Sequence, residues 1–190
     1  MQLTHRRPSY TTAKTPYTPK TISNWQPDIS ESYQATSNLK LTLSKICELT
    51  NFPYGEIWLP NDDKDLLELS SHYHVVSGNN QDDLELFHEC SQEFILSKGE
   101  GLPGRVWLNQ KPEWILDVSA ESEGYFLRNR IAGVCGVKTG FAIPVTLEKK
   151  VLIIMAFFAR DIRPYSSECL ALAMDLAIKL STSKAYFEKI

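Results

Sequence analysis

The sequence predicts an α+β fold in which a central antiparallel β-sheet carries helices on both faces. Three observations lead there. Residues 54–59 and 66–76 are strand-like runs joined by so short a link, Pro60-Asn61-Asp62-Asp63, that they pair antiparallel. Residues 151–159 are apolar throughout, so both faces of that strand are covered. Residues 170–180 carry only Asp175 and Lys179 among Leu, Ala, Met and Ile, and a helix apolar nearly all round buries more than one face.

The elements follow in chain order. Residues 1–30 contain Pro8, Pro16, Pro19 and Pro27, recurrent Ser and Thr, and no apolar periodicity, which predicts a disordered basic leader. Its acid-free makeup over residues 1–27 also suits an organellar transit peptide; the plainer reading is a flexible extension. Folded structure is expected over residues 31–190. Leu39, Leu43, Ile46 and Cys47 fall on one helical face, and the run stops at Asn51-Phe52-Pro53. The hairpin comes next, with Leu67, Leu69, Ser71, Tyr73 and Val75 on alternate positions of its second strand. Leu84, Phe87 and residues 89–91 belong to a second helix, and residues 94–96 to a short apolar piece. Pro103 opens a helix through Arg105, Val106, Trp107 and Leu108. Residues 112–118 read as a strand, residues 125–132 as a short helix carrying Arg128 and Arg130, and residues 138–147 and 151–159 as a second hairpin. Pro164, Ser166 and Glu168 start the last helix, where Asp175 and Lys179 pair at i,i+4. One face of that helix covers the sheet beside the first helix. The other predicts a homodimer, with Leu39, Leu43, Leu172, Leu176 and Leu180 in a terminal-helix dimerisation layer.

At 190 residues the chain is one domain, long enough to bury a core without disulfides. Net charge is −3, but Arg6, Arg7, Lys14 and Lys20 give residues 1–27 a local +4 and leave −7 on the rest. An acidic body argues against nucleic-acid binding. The longest apolar run, nine residues, is too short for a membrane span, and no secretory h-region precedes it. Cys47, Cys90, Cys135 and Cys169 form no CxxC pair and read as reduced thiols of a cytoplasmic protein. His72 and His74, two apart on a strand, have no third ligand nearby, so no metal site is expected. Residues 99–104 satisfy GxGxxG, yet Pro103 has no N–H to give a phosphate and Glu100 would repel one, so dinucleotide binding is not expected.

Several phrases together resemble a GAF domain, a small-molecule-sensing relative of PAS. They are Phe52-Pro53-Tyr54-Gly55-Glu56-Ile57-Trp58-Leu59-Pro60, Gly99-Glu100-Gly101-Leu102-Pro103-Gly104-Arg105-Val106-Trp107, Trp114-Ile115-Leu116-Asp117-Val118 and Gly136-Val137-Lys138-Thr139-Gly140-Phe141-Ala142-Ile143-Pro144-Val145. The likeness runs from about residue 35 to 185. It implies a layer of first and last helices on one sheet face and a ligand cavity under the helices of the other.

The family's known chemistries can be checked position by position. Bilin-binding members carry Cys-His where this chain has Leu127-Arg128. Free methionine sulfoxide reductases carry a Gly-Val-Cys-Gly turn that is similar to Gly101-Leu102-Pro103-Gly104 here, with proline in place of the thiol. Cyclic-nucleotide binders resemble the chain only faintly at Ala159-Arg160-Asp161 and Tyr165-Ser166-Ser167-Glu168, where Arg160 and Arg163 are the phosphate candidates. A haem would want an axial histidine, and His88 lies on the second helix. The candidate cavity lining that remains is Trp107, Trp114, Tyr125, Arg128, Phe141 and Phe158, with Arg128 the group for an anion. The plainer alternative is that the rings are core and that Arg128 shares a solvated helix face with Arg130.

The resemblance implies a non-catalytic sensory or regulatory domain that binds a small ligand or senses redox state. It would signal through its terminal helices to an attached or associated signalling protein, a histidine kinase or similar. The alternatives are a ligand-free dimerisation scaffold, or a bilin photoreceptor or sulfoxide reductase, both without the expected cysteine. No particular cofactor follows from the residues.

Overall fold

The computed structural model describes residues 33–61, 63–78 and 81–181, with side chains from residue 37 on. The expected leader at residues 1–30 lies outside the described residues. The chain runs α1 (Tyr33–Thr50), β1 (Tyr54–Pro60), β2 (Leu66–Val75), α2 (Gln81–Ser91), β3 (Ile95–Ser97), α3 (Gly101–Asn109), β4 (Glu113–Ile115), α4 (Asn129–Val134), β5 (Thr139–Leu147), β6 (Lys150–Ala159) and α5 (Ser167–Ser181). The strands make one six-stranded sheet in the order β3-β2-β1-β6-β5-β4, with every pairing antiparallel.

Local chemistry sets the boundaries. Asn51, in the left-handed region at φ 59°, ends α1 two residues before Pro53. The Ser166 hydroxyl accepts the Cys169 N–H at 3.1 Å and caps α5. Gly104 is required by close approach, because a Cβ there would stand 2.3 Å from the Ser97 carbonyl oxygen.

Alternation along the central strands sends side chains into two cores. On one face, Ile57, Phe141, Ile143, Met155 and Phe157 pack under α1 and α5. Gly55 lets α1 settle there, since a Cβ would lie 3.0 Å from Cys47 Sγ, Leu43 Cδ1 and Phe157 Cδ1. On the other face, Tyr54, Trp58, Ala142, Ile154, Ala156 and Phe158 pack under α2, α3 and the segment leading into α4. β6 is therefore covered on both sides, as its composition requires.

The structure corrects three expectations. The strand expected over 112–118 is only three residues long, because the Asp117 carboxylate accepts the Ser119 and Ala120 N–H groups at 3.0 and 3.2 Å and turns the chain away. The helix expected over 125–132 starts at Asn129, because the Tyr125 and Phe126 N–H groups both turn back to the Ser122 carbonyl. Leu39, Leu43, Leu172, Leu176 and Leu180 are not a surface layer. All five are buried within one chain, where α1 and α5 pack on each other and α5 packs on β5. The outward side of these helices presents Leu41, Ala171, Asp175 and Ile178 instead, with Ile178 56% exposed. No helix among the described residues is long and apolar enough to cross a membrane.

Candidate functional site

Tyr54, Glu56 and Trp58 stand at i, i+2 and i+4 of β1, so all three point to the α2–α4 side of the sheet. A carboxylate in that position meets apolar rings and needs partners. It has four. Glu56 Oε1 accepts from Trp58 Nε1 at 2.7 Å and Arg128 Nη2 at 2.6 Å, and Oε2 accepts from Tyr54 Oη at 2.7 Å and Arg128 Nη1 at 3.0 Å. Every lone-pair direction of the carboxylate is used.

Arg128 is delivered by the residue just before α4. Its Nη1 also donates to Ser91 Oγ at 2.7 Å, and its guanidinium lies 4.9–5.5 Å from the ring centres of Phe87, Trp58, Phe158 and Phe126. Bidentate pairing and aromatic contact both suit the planar arginine head. Arg128 is 2% exposed, so the solvated-face alternative does not hold, whereas Arg130 does reach solvent and pairs with Glu123 at 3.0 Å.

The network continues outward through His88. Tyr54 gives its proton to Glu56, so its oxygen accepts from His88 Nδ1 at 2.9 Å. That leaves His88 Nε2 to accept from the Gln92 amide at 3.3 Å. The imidazole stacks on Tyr73 with ring centres 3.8 Å apart. Burial holds the His88 pKa down; the Glu56 charge opposes this in part, and Arg128 adds to it. Burial, then the Glu56 charge, pushes the Tyr54 phenol well up, so it stays a donor. The result is a directed chain from the exposed Gln92 to the buried Glu56.

The six sequence-derived lining residues do not meet in one cavity. Arg128 and Phe158 belong to the network just described. Trp107 packs in the same core but further along, under the Lys98 ammonium at 4.7 Å. Phe141 pairs with Phe157 across β5 and β6 while Gly140 pairs with Phe158, so Phe141 and Phe158 occupy opposite sheet faces. Trp114 stacks on Phe141 at 5.4 Å, on the α1–α5 side. Tyr125 is 41% exposed under the Arg105 guanidinium and donates to Glu113 at 3.1 Å. Tyr54, Glu56, Trp58, His88 and Ser91 were missed. The usable signal was a single acid, Glu56, inside an otherwise apolar strand and on the same parity as Tyr54 and Trp58.

The other candidates are satisfied internally. Arg160 pairs with Asp83, and Arg163 pairs with Asp161 at 2.8 Å while donating to the Asn51 carbonyl at 2.6 Å. Glu100 accepts the Ser97 N–H at 2.9 Å, which ties down the glycine-rich turn. Among the described residues no cluster of three or more His, Cys, Asp or Glu could hold a metal.

Residues 36–179 match the GAF domain family. The chain belongs to the GAF family. The GAF domain of a phosphoenolpyruvate-protein phosphotransferase from Coxiella burnetii is similar at 21% identity, with TM-score 0.59, covering 80% of this chain and 83% of that one. Free methionine-R-sulfoxide reductase from Neisseria meningitidis is similar at 15% identity, with TM-score 0.59 and coverage of 82% and 81%. Both likenesses concern the fold. In sequence, Transcription factor bHLH13 of Arabidopsis thaliana is 27% identical over 116 residues, which is 54% of this chain and 19% of that protein. The matched stretch is thus about a fifth of that curated relative.

Proposed function

We propose that this GAF domain is a non-catalytic regulatory module that works through its surface, with its internal chamber filled by its own side chains. One observation carries the reading. The donors that converge under α2 and α4, namely Arg128, Tyr54 and Trp58, form a carboxylate receptor, and Glu56 of the same chain occupies it. All three side chains donate to Glu56 and four aromatic rings surround the Arg128 guanidinium, which disfavours a further anion there. Burial raises the thiol pKa values of Cys47, Cys135 and Cys169, with Cys169 pushed up to about 12, which makes these three poor nucleophiles. The likeness to a small part of a transcription factor supports placing the module in, or beside, a larger regulatory protein.

A second reading is favoured by the same atoms. A small anion that displaced Glu56 from Arg128 would release a buried carboxylate and make the chamber a sensor, with α1 and α5 passing the change on. Thermal unfolding with acetate and propionate separates the two. Under the first reading the wild type is unmoved, while Glu56→Ala is destabilised and regains stability as acetate fills the vacated receptor. A rise in wild-type Tm with millimolar carboxylate, lost in Arg128→Met, would replace the first reading with the second.

A further inference from the structure

At the turn end of the sheet, on the α3 side, a hollow of about 330 Å³ is walled by four lysines, Lys64, Lys98, Lys149 and Lys150, and by no carboxylate. Lys64, Lys98 and Lys149 come from the β1–β2, β3–α3 and β5–β6 turns, and Lys150 is the first residue of β6. No ion pair among the described residues includes any of the four. Of the acids in the adjoining turns, Asp65 is engaged with the Asn61 amide at 2.8 Å and Glu100 with the Ser97 N–H, and neither Asp63 nor Glu148 lines the hollow. Four lysines meeting where no acid lines the wall give the hollow a local positive potential that favours an anionic partner.

The floor is apolar. It is formed by Trp107, by Val151 and Leu152 at the start of β6, and by Leu108, which is 57% exposed at the end of α3. The rim is held in shape before any partner arrives. Lys64 sits at φ 59° in a turn closed by its own N–H to the Asn61 carbonyl at 2.9 Å, and Gln110 at φ 53° closes α3 through its N–H to Val106 at 2.9 Å. Lys98 is held over the Trp107 ring at 4.7 Å. An apolar floor with room for one large side chain, inside a preorganised basic rim, matches an anchor residue flanked by acids.

We infer that this hollow docks an acidic peptide segment of a partner protein, one apolar side chain lying on Trp107 and Leu108 and flanking carboxylates reaching the four lysines. The inference rests on the surface-acting reading above and names the kind of partner that surface takes.

The test uses the purified full chain and a fluorescein-labelled decapeptide in which aspartates and glutamates flank one central phenylalanine, read by fluorescence anisotropy. Saturable binding is expected that weakens tenfold or more in the Lys98→Glu/Lys150→Glu double variant. Both sites are exposed, so an unchanged Tm and circular dichroism spectrum are expected to accompany that loss. Replacing the peptide's phenylalanine by serine, or its acids by their amides, should each weaken binding at least fivefold. A lysine-flanked peptide should bind the double variant better than the wild type.

Absent binding, equal binding by the charge-reversed protein, or equal binding of the serine peptide would overturn the inference. So would displacement of the peptide by adenosine monophosphate at lower concentration than the peptide itself, which would make the hollow a nucleotide site. Lysine-dependent self-association of the wild type in sedimentation would overturn it in favour of a second copy of this chain. None of these results moves the response of wild-type Tm to acetate, so failure here is distinguishable from failure of the surface-acting reading.

Discussion

Arg128 Nη2 lies 2.6 Å from Glu56 Oε1, with the two side chains 3% and 0% exposed and the residues 72 positions apart in the chain. This pair ties the start of α4 to the central strand β1 through the middle of a core.

Removing one partner leaves the other charge buried and unpaired. Glu56→Ala or Arg128→Met should therefore lower stability by about 3–5 kcal/mol, measured by urea unfolding. The double variant Glu56→Leu/Arg128→Met should be far less destabilised than the sum of the two. Additive losses would show that the two side chains act separately.

This network also marks where the sequence stops being legible. Periodicity was enough for the β1–β2 and β5–β6 hairpins, for α5 and for a sheet covered on both faces, because each rests on contacts within its own segment. Which ring faces which core depends on register across β5 and β6, which composition does not show, so Phe141 and Trp114 read from the sequence as neighbours of Phe158. The apolar circumference of α5 reads as a need for a partner, and α1 with β5 in the same chain supplies it. Arg128 reads from the sequence as a group for an external anion, and only the fold shows that its anion is Glu56 of the same chain.

His88 makes stability depend on pH in a definite direction. Its folded pKa is lowered, chiefly by burial, below the unfolded value of about 6.5. Between the two values the unfolded chain binds the extra proton, so stability is full above about pH 6.5 and falls as pH drops towards the folded value. Thermal melts from pH 7.5 to 5 should show a shallower decline in His88→Gln than in the wild type. His72 and His74 are shifted the same way and remain in both proteins, so the difference isolates His88. Parallel curves would mean that His88 takes up its proton as readily in the folded as in the unfolded chain.

The thiols should divide sharply. Cys47, Cys135 and Cys169 are buried, whereas Cys90 on α2 is partly open to solvent. Burial raises the pKa of all three buried groups, and the Cys90 side chain adds to this at Cys135. Ellman's reagent at pH 8 should modify one thiol per native chain within minutes, and none in Cys90→Ser. The other three should follow only in denaturant. Rapid reaction of two or more native thiols would contradict this packing.

The two-residue turn between β5 and β6 should be improvable by design. Leu147 pairs directly with Lys150, and the residues between them, Glu148 and Lys149, sit at φ 48° and 67°. That is a type I′ turn built from two side chains that disfavour the left-handed region, each at a penalty of about 1–2 kcal/mol. Asparagine and glycine adopt these angles readily. Glu148→Asn/Lys149→Gly should raise stability by about 1 kcal/mol or more in urea unfolding. The same change leaves the net charge as it was but removes one of the four lysines that line the Trp107 hollow, which Glu148 does not, so a protein that melts later should also hold the acidic decapeptide less tightly. A gain in stability with undiminished peptide affinity would place the docking charge on Lys64, Lys98 and Lys150 alone. A loss of stability would mean that the Glu148 and Lys149 side chains make contacts outweighing the strain of their backbone.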